Sequence, residues 1–325
     1  MNRFLHVLRL GWAYRIRRST WLPYPPYQYT IEPTNSCNLR CPFCPQSDPE
    51  HAQRRTFGQL TEANLRVFLE RLQDTHPGGR NLNFTLDGEP FLNGDFIPFV
   101  ELAAQEGYFS IFATNATRLD APTADRLIAA GRFQASIDFA ATPEVFESIR
   151  GREGDYDLVL RNLRYLLEQS KTHSGVHVDI HDIAPYTGVD PAVSLAQLRA
   201  LFPADLPRRI RFDSRIFHNF CGHLPLKRTD GVYRVCPYPW TQMAVAHNGD
   251  CLACCRDTVG RSVLGNVFRQ PIMEVWNGAA YQRLRQNLVN GRPELNAACK
   301  DCDLPWSKGQ PRWRPMYVLR SLLRR

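Results

Sequence analysis

Between Gln28 and Phe217, short runs of β-branched and aromatic residues alternate with stretches whose apolar positions recur at helical spacing. Six runs read as strands: 28–34, 81–87, 109–115, 133–139, 176–183 and 209–217. Helical patterns lie between them at 61–74, 95–106, 123–130, 155–169 and 191–201, several closed by Gly107, Gly131 or Pro203. In 155–169, Val159, Leu163, Leu166 and Leu167 share one helical face. Alternating strands and helices predict an α/β fold with a parallel sheet. Right-handed crossovers would wind the six units into an open, partial barrel with function at the C-terminal ends of its strands.

After Cys221 the pattern changes. Met243–His247, an Asn248-Gly249 turn and Asp250–Cys255 read as a β-hairpin with a type I′ turn, and Pro271–Asn290 reads as helical. This region holds seven of the ten cysteines. The expected organisation is a basic amphipathic segment at 1–27, the barrel at 28–220, a small α+β metal-organised domain at 221–306 and a basic tail at 307–325.

Charge refines that picture. The formal charge of +8 comes from the ends: residues 1–20 carry five Arg and no acid, and 308–325 carry five Arg and one Lys, so the body is net acidic. A nucleic-acid surface is therefore not expected. Phe4, Leu8, Trp12 and Ile16 recur every four residues, which puts an apolar stripe among arginines. Such a stripe packs on the catalytic domain or lies on an anionic membrane surface. No apolar run approaches the roughly 18 residues of a membrane span, and Arg3, Arg9 and Arg15 interrupt any signal-peptide core, so a cytoplasmic protein is expected.

The cysteine spacing, C-x3-C-x2-C and C-x2-C, is that of metal ligands in a reducing compartment and not of a disulfide framework. Cys37, Cys41 and Cys44 place three soft ligands on one short loop just beyond the first strand. Three thiolates suit a 4Fe-4S cluster with one iron left open for catalysis. A zinc ion completed by a distant ligand is the alternative.

In these cysteines and in the motifs that follow, the chain resembles the radical SAM (S-adenosylmethionine) superfamily over roughly 28–306. Phe43 precedes the third cysteine, as the family's adenine-side aromatic does. Asp87-Gly88-Glu89-Pro90 resembles the Gly-Gly-Glu-Pro segment whose backbone and carboxylate receive the SAM ammonium group; Asp87 replaces the first glycine. Thr114-Asn115 resembles a Thr-Asn-Gly ribose-side segment, with Ala116 for glycine. Ser136-Ile137-Asp138 and Ser148-Ile149-Arg150-Gly151 resemble the family's Ser-x-Asp and Ile-Arg-Gly segments. The resemblance thus implies a partial (β/α)6 radical SAM barrel and SAM contacts from Phe43, Gly88, Glu89, Pro90, Asn115, Ser136, Asp138 and Arg150. It also implies reduction of the cluster by a partner such as flavodoxin or ferredoxin, cleavage of SAM, and hydrogen abstraction from a substrate.

Cys236, Cys254, Cys299 and Cys302, with the CPYPW and LGNV segments, resemble the shortened SPASM, or twitch, domain. This implies a second, auxiliary 4Fe-4S cluster saturated by four thiolates; four-thiolate zinc is the alternative, and Cys255 can replace Cys254. Cys221, Cys251 and Cys255 remain unassigned. On the fifth and sixth strands, 177, 179 and 181 share a face, as do 211, 213 and 215. His181, Asp179, Asp213 and Arg215 are therefore candidates to face the substrate cavity, with His177 and His218 also near the barrel mouth.

The expected function is two-electron oxidation of a secondary alcohol in a small-molecule substrate, in secondary-metabolite or modified-sugar biosynthesis. This is the chemistry of the radical SAM dehydrogenases of aminoglycoside biosynthesis. The alternatives are an epimerase returning hydrogen from Cys221, Cys251 or Cys255, a peptide-modifying maturase, and a non-enzymatic metal-binding module.

Overall fold

The computed structural model describes residues 8–9, 11–48, 51–75, 81–150, 153–225 and 231–306. Phe4, Gly151 and the basic tail at 307–325 lie outside the described residues. The strands are β1 (Gln28–Ile31), β2 (Asn81–Asn83), β3 (Phe109–Thr114), β4 (Phe133–Phe139), β5 (Val176–Asp182), β6 (Ile210–Ser214), β7 (Gln242–Val245), β8 (Asp250–Leu252) and β9 (Val263–Asn266). The principal helices are α1 (Glu62–Thr75), α2 (Phe96–Gln105), α3 (Ala121–Ala130), α4 (Pro143–Arg150), α5 (Asp155–Ser170), α6 (Pro191–Ala200), α7 (Ile272–Trp276) and α8 (Ala279–Val289). By contact the chain divides into two compact units: 31–65 with 79–217, and 1–30 with 66–78 and 218–325.

In the first unit, β2 to β6 pair in sequence order, each parallel to the next. Their register sorts side chains by face. Gln134 pairs with His177; Ser136 aligns with Asp179 and Arg211, and Asp138 with His181 and Asp213. Aligned residues of parallel strands point the same way, so these polar side chains share one face. The intervening Phe133, Ala135, Ile137, Phe139, Val176, Val178 and Ile180 are fully buried on the other. That apolar face packs on helices: Phe139 meets Phe146 of α4 and Tyr156 of α5 at 4.9 and 5.2 Å, and Phe112 meets Phe96 of α2 at 5.2 Å. The polar face is thereby the one that carries the candidate site residues.

Three strands are shorter than their sequence runs by three residues or more. After β1 the chain reaches Pro33, which has no N–H for a ladder, and turns into the cysteine loop. Beyond β2 the Thr85 hydroxyl takes the Ala113 N–H at 2.8 Å, and the backbone departs into the 86–89 turn. β6 ends at Ser214. Helix α4, absent from the periodicity reading, is a strongly amphipathic eight-residue segment that starts at Pro143 and buries Phe146, Ile149 and Arg150.

The second unit contains the antiparallel β7-β8-β9, beside which β1 lies next to β7. The β7–β8 turn is not type I′. Type I′ needs left-handed backbone at both central residues, but only Gly249 (φ 89°) has it; the Gly249 N–H returns to the Ala246 carbonyl at 2.9 Å. This is the pattern of a three-residue hairpin loop, and a side chain at Gly249 would meet the Phe268 ring at 2.4 Å. The helical run 271–290 breaks at Asn277-Gly278 into α7 and α8, because the Asn277 side chain bonds both the N–H and the carbonyl of Leu22 at 2.8 Å. The fully buried Arg285 holds the same segment, donating to the carbonyls of Thr20 (2.7 Å) and Pro239 (2.8 Å) over the Trp276 ring.

The described part of the N-terminal stripe does not pack inward. Leu8, Trp12 and Ile16 are 47%, 57% and 62% exposed, while Ala13 is buried. Among the described residues no helix is long and apolar enough to cross a membrane.

Candidate active site

The cysteine loop follows β1. Cys41 is buried and Cys37 and Cys44 are partly so. The Leu39 N–H points at Cys37 Sγ (3.4 Å), and the Arg150 guanidinium at Cys41 Sγ (3.3 Å) while also donating to the Asp138 carbonyl (2.6 Å). Burial pushes Cys37 up to about 11 and Cys44 well above the usual thiol range. Nearby carboxylates and sulfurs add to both shifts. Three crowded, desolvated thiols with donors aimed at sulfur are a ligand set that waits for cationic charge, which fits iron. Among the described residues no three Cys, His, Asp or Glu side chains converge as ligands of a single ion do. In an iron–sulfur cubane each thiolate takes its own iron.

The turn after β2 closes on this loop. Gly88 is left-handed (φ 70°), and a Cβ there would lie 2.4 Å from the Thr34 carbonyl oxygen and 2.6 Å from that of Ser36. Asp87, by contrast, is not among the described residues with positive φ. Its carboxylate instead accepts the Gly88 N–H (2.9 Å) and the Gln46 amide (2.9 Å) and pairs with His51 (2.8 Å). The aspartate in place of glycine thus ties the cysteine loop to the turn.

Glu89 is buried with both oxygens engaged. Oε1 accepts the Thr114 hydroxyl (2.7 Å) and the Phe91 N–H (3.3 Å), and Oε2 accepts the Asn115 N–H (2.7 Å). Desolvation raises its pKa, and these donors oppose the rise. Pro90 opens a short 3-10 turn directly after it. The Asn115 amide reaches Asn38 Oδ1 at 2.9 Å, beside Cys37. Ala116, where glycine stands in the resembling motif, is left-handed (φ 58°) and fully buried. Phe43 forms an aromatic group with Tyr186 (5.5 Å) and Phe217 (5.1 Å), an apolar wall that suits an adenine. Ser136 and Asp138 sit on the polar sheet face. The partner of Arg150, a cluster thiol, was invisible in sequence because Cys41 lies 109 positions away.

The polar face also holds the candidate reacting groups. Asp179 is neutralised by Arg211 (Nε to Oδ1, 2.6 Å) and accepts Gln134 (2.7 Å), while Arg215 faces Asp138 at 3.5 Å. Burial and the arginines at 211 and 209 lower the pKa of His177. His181 and Asp213 are register partners, partly buried and exposed respectively, and their side chains make no hydrogen bond or ion pair among the described residues.

In the second unit, Cys236, Cys302 and Cys221 are buried together with Leu304, and Cys254 packs against them. Cys299 lies close enough for Cys254, Cys236 and Cys302 to raise its pKa, after burial itself. Cys254, not Cys255, thus joins the group; Cys255 turns toward Gln242. Cys251 is fully buried in β8. Soft thiols converging from distant segments fit a second iron–sulfur cluster, which takes four of them.

Residues 31–183 match the radical SAM superfamily, and residues 236–303 match the SPASM iron-sulfur cluster-binding domain. Mycofactocin maturase MftC of Mycobacterium tuberculosis is 30% identical over 142 residues, 43% of this chain and 34% of that protein. The chain therefore matches about a third of the length of this curated relative. BtrN, solved in complex with AdoMet and 2-DOIA, superposes with a TM-score of 0.60 at 18% identity, covering 89% of this chain and 98% of BtrN. Streptococcus suis SuiB bound to precursor peptide SuiA gives 0.55 at 15% identity, covering 90% and 74%. These solved structures share the fold.

Two substitutions at left-handed positions should act in opposite directions. Gly88→Ala drives a methyl into two carbonyl oxygens and should cost at least about 3 kcal/mol or abolish SAM binding. Ala116→Gly relieves a strained backbone and should stabilise by roughly 1 kcal/mol. Denaturant unfolding of both variants measures this, and equal effects would contradict the assigned geometry.

Arg150→Gln should shift the potential of the first cluster to more negative values, because a charged donor at Cys41 Sγ is lost. Spectroelectrochemical titration checks the sign.

Proposed function

We propose that this chain, in which residues 31–183 match the radical SAM superfamily and 236–303 the SPASM domain, acts as a radical SAM enzyme and removes two hydrogens from a secondary alcohol of a small molecule. The observation that carries this reading is the convergence of Cys236, Cys254, Cys299 and Cys302. Four thiols saturate a cluster and leave no iron for substrate, so its natural task is to accept an electron. The fold is shared with BtrN, solved in complex with AdoMet and 2-DOIA.

Cys37, Cys41 and Cys44 would hold the first cluster, and Cys236, Cys254, Cys299 and Cys302 the second. With SAM bound, the first site would supply the radical chemistry of hydrogen abstraction from carbon. The protein positions and shields. Phe43, Tyr186 and Phe217 wall one side against water, and the Gly88–Pro90 turn with Asn115 presents backbone and amide groups to the polar end of SAM. Ser136 and Asp138 extend that polar surface along β4. His181, with Asp213 in register beside it, takes the hydroxyl proton, since Asp179 and Asp138 already face arginines. A flavodoxin or ferredoxin supplies the reducing electron.

Modification of a peptide is a second reading, favoured by the sequence likeness to a maturase. Epimerisation draws less support, because two of its three candidate hydrogen donors, Cys221 and Cys251, are sealed from solvent.

Mass spectrometry of turnover products separates these readings. A dehydrogenase gives a small product two hydrogens lighter with one SAM consumed. An isomer that gains one deuterium in heavy water would establish an epimerase instead, and a modified peptide a maturase.

The exposed Leu8, Trp12 and Ile16, with Arg9, Arg17 and Arg18 around them, form an amphipathic face suited to an anionic membrane surface. The protein should sediment with phosphatidylserine vesicles at low salt and be released at high salt. Replacing Trp12 and Ile16 by Ser should weaken this several-fold, and vesicle binding that ignores both salt and substitution would refute the contact.

A further inference from the structure

The auxiliary group holds one thiol more than a cubane cluster needs. Cys221 is 1% exposed, its sulfur 4.0 Å from Cys254 Sγ, and it also contacts Cys302. Its placement is not incidental packing of a small apolar residue. Phe220 (φ 46°), Cys221 (φ 61°) and Gly222 (φ 79°) are three successive left-handed residues. Non-glycine residues adopt that conformation only where the surroundings over-determine it, typically at ligand clamps and active sites.

Here the surroundings do so. Asn219 Oδ1 accepts the N–H groups of Gly222 (3.0 Å) and Asp303 (3.1 Å), and its amide donates to the Asp301 carbonyl at 2.8 Å. The Arg261 guanidinium donates to the Cys221 carbonyl at 2.7 Å. A Cβ at Gly222 would lie 2.3 Å from Asp301 Cβ, so the turn is pressed against the segment that carries Cys299 and Cys302. The whole device directs the Cys221 sulfur at the other thiols.

We propose that Cys221 is an alternate ligand of the auxiliary cluster, interchangeable with Cys254 at one iron. The proposal rests on the reading that Cys236, Cys254, Cys299 and Cys302 hold that cluster. Metal–thiolate bonds are about 2.3 Å long, so two sulfurs less than about 4.6 Å apart can reach the same metal. The observed 4.0 Å meets that limit. When Cys221 takes the position, it gives up its proton and forms the bond to iron that the Cys254 thiolate releases. The proton ends on Cys254, so net charge is unchanged and no electron moves.

The test uses the full chain with Cys37, Cys41 and Cys44 replaced by Ala, so that iron reports the auxiliary site alone. After anaerobic reconstitution this background should hold about four irons per chain. Adding Cys221→Ala or Cys254→Ala singly should leave about four, and adding both should remove the cluster. Iron lost on Cys254→Ala alone, or kept in the double variant, overturns the proposal. Iron absent from the background overturns the cluster reading and the proposal with it. Cys254→Ser supplies a readout that does not depend on tolerance of a smaller side chain. Its reduced cluster should give the electron paramagnetic resonance signal of all-thiolate ligation, and a signal shifted by oxygen ligation would also overturn the proposal.

Discussion

The contact on which the active site depends is the approach of Gly88 to the carbonyls of Thr34 and Ser36. No other residue fits, because a Cβ at Gly88 would sit 2.4 Å from an oxygen that the backbone cannot move. The Glu89 N–H then bonds the Ser36 carbonyl at 2.8 Å, joining the turn after β2 to the loop after β1. From that junction the rest follows by short hydrogen bonds. Asp87 grips Gln46 and His51 just after the cysteine loop, and Glu89 grips Thr114 and Asn115 at the end of β3. Three strand ends are thus fixed relative to one another by groups that are themselves buried, the preorganisation that a cofactor held at several points requires.

The electrostatics of the first unit are balanced in pairs. Glu32 meets Arg55, Asp179 meets Arg211, and Asp138 meets Arg215. Buried charges without partners are costly, so pairing is the condition for placing so many polar groups on one sheet face. Arg150 differs, since its neighbours are a carbonyl oxygen and the sulfur of Cys41. Burial opposes its charge, but Cys41 and Asp138 outweigh burial and raise its pKa. Its charge is therefore available to whatever anionic centre the three thiolates build.

Local signals made most of this architecture legible. The period-two burial of β4, alternating from Phe133 to Phe139, is written in FQASIDF, and the cysteine spacings name their own chemistry. Three kinds of feature were not legible. Helix α4 follows β4 so closely that eight residues carry too little period to stand out. The turn at Asn248-Gly249 has the letters of a type I′ turn, yet the Phe268 ring and the Asn266 side chain beside Gly249 set its geometry from elsewhere in the chain. The choice between Cys254 and Cys255 depends on which side of one residue faces the other thiols, which adjacent letters cannot express.

Backbone strain points to the same places as the chemistry. Among the described residues, the non-glycine positions with left-handed backbone are Arg18, Ala116, Phe220 and Cys221. Arg18 ends a π-helical turn, an ordinary place for such a residue. Ala116 closes the segment that Glu89 holds, with its N–H on the Thr114 hydroxyl and its carbonyl on Asn162. Phe220 and Cys221 carry a thiol into the auxiliary group. At Ala116 strain is tolerated because moving the backbone would release Asn115 from Glu89. At Cys221 it is tolerated because relaxing the turn would withdraw the sulfur from Cys254. In both cases the strain holds a group of a cofactor site in place, which explains why a costly conformation persists there.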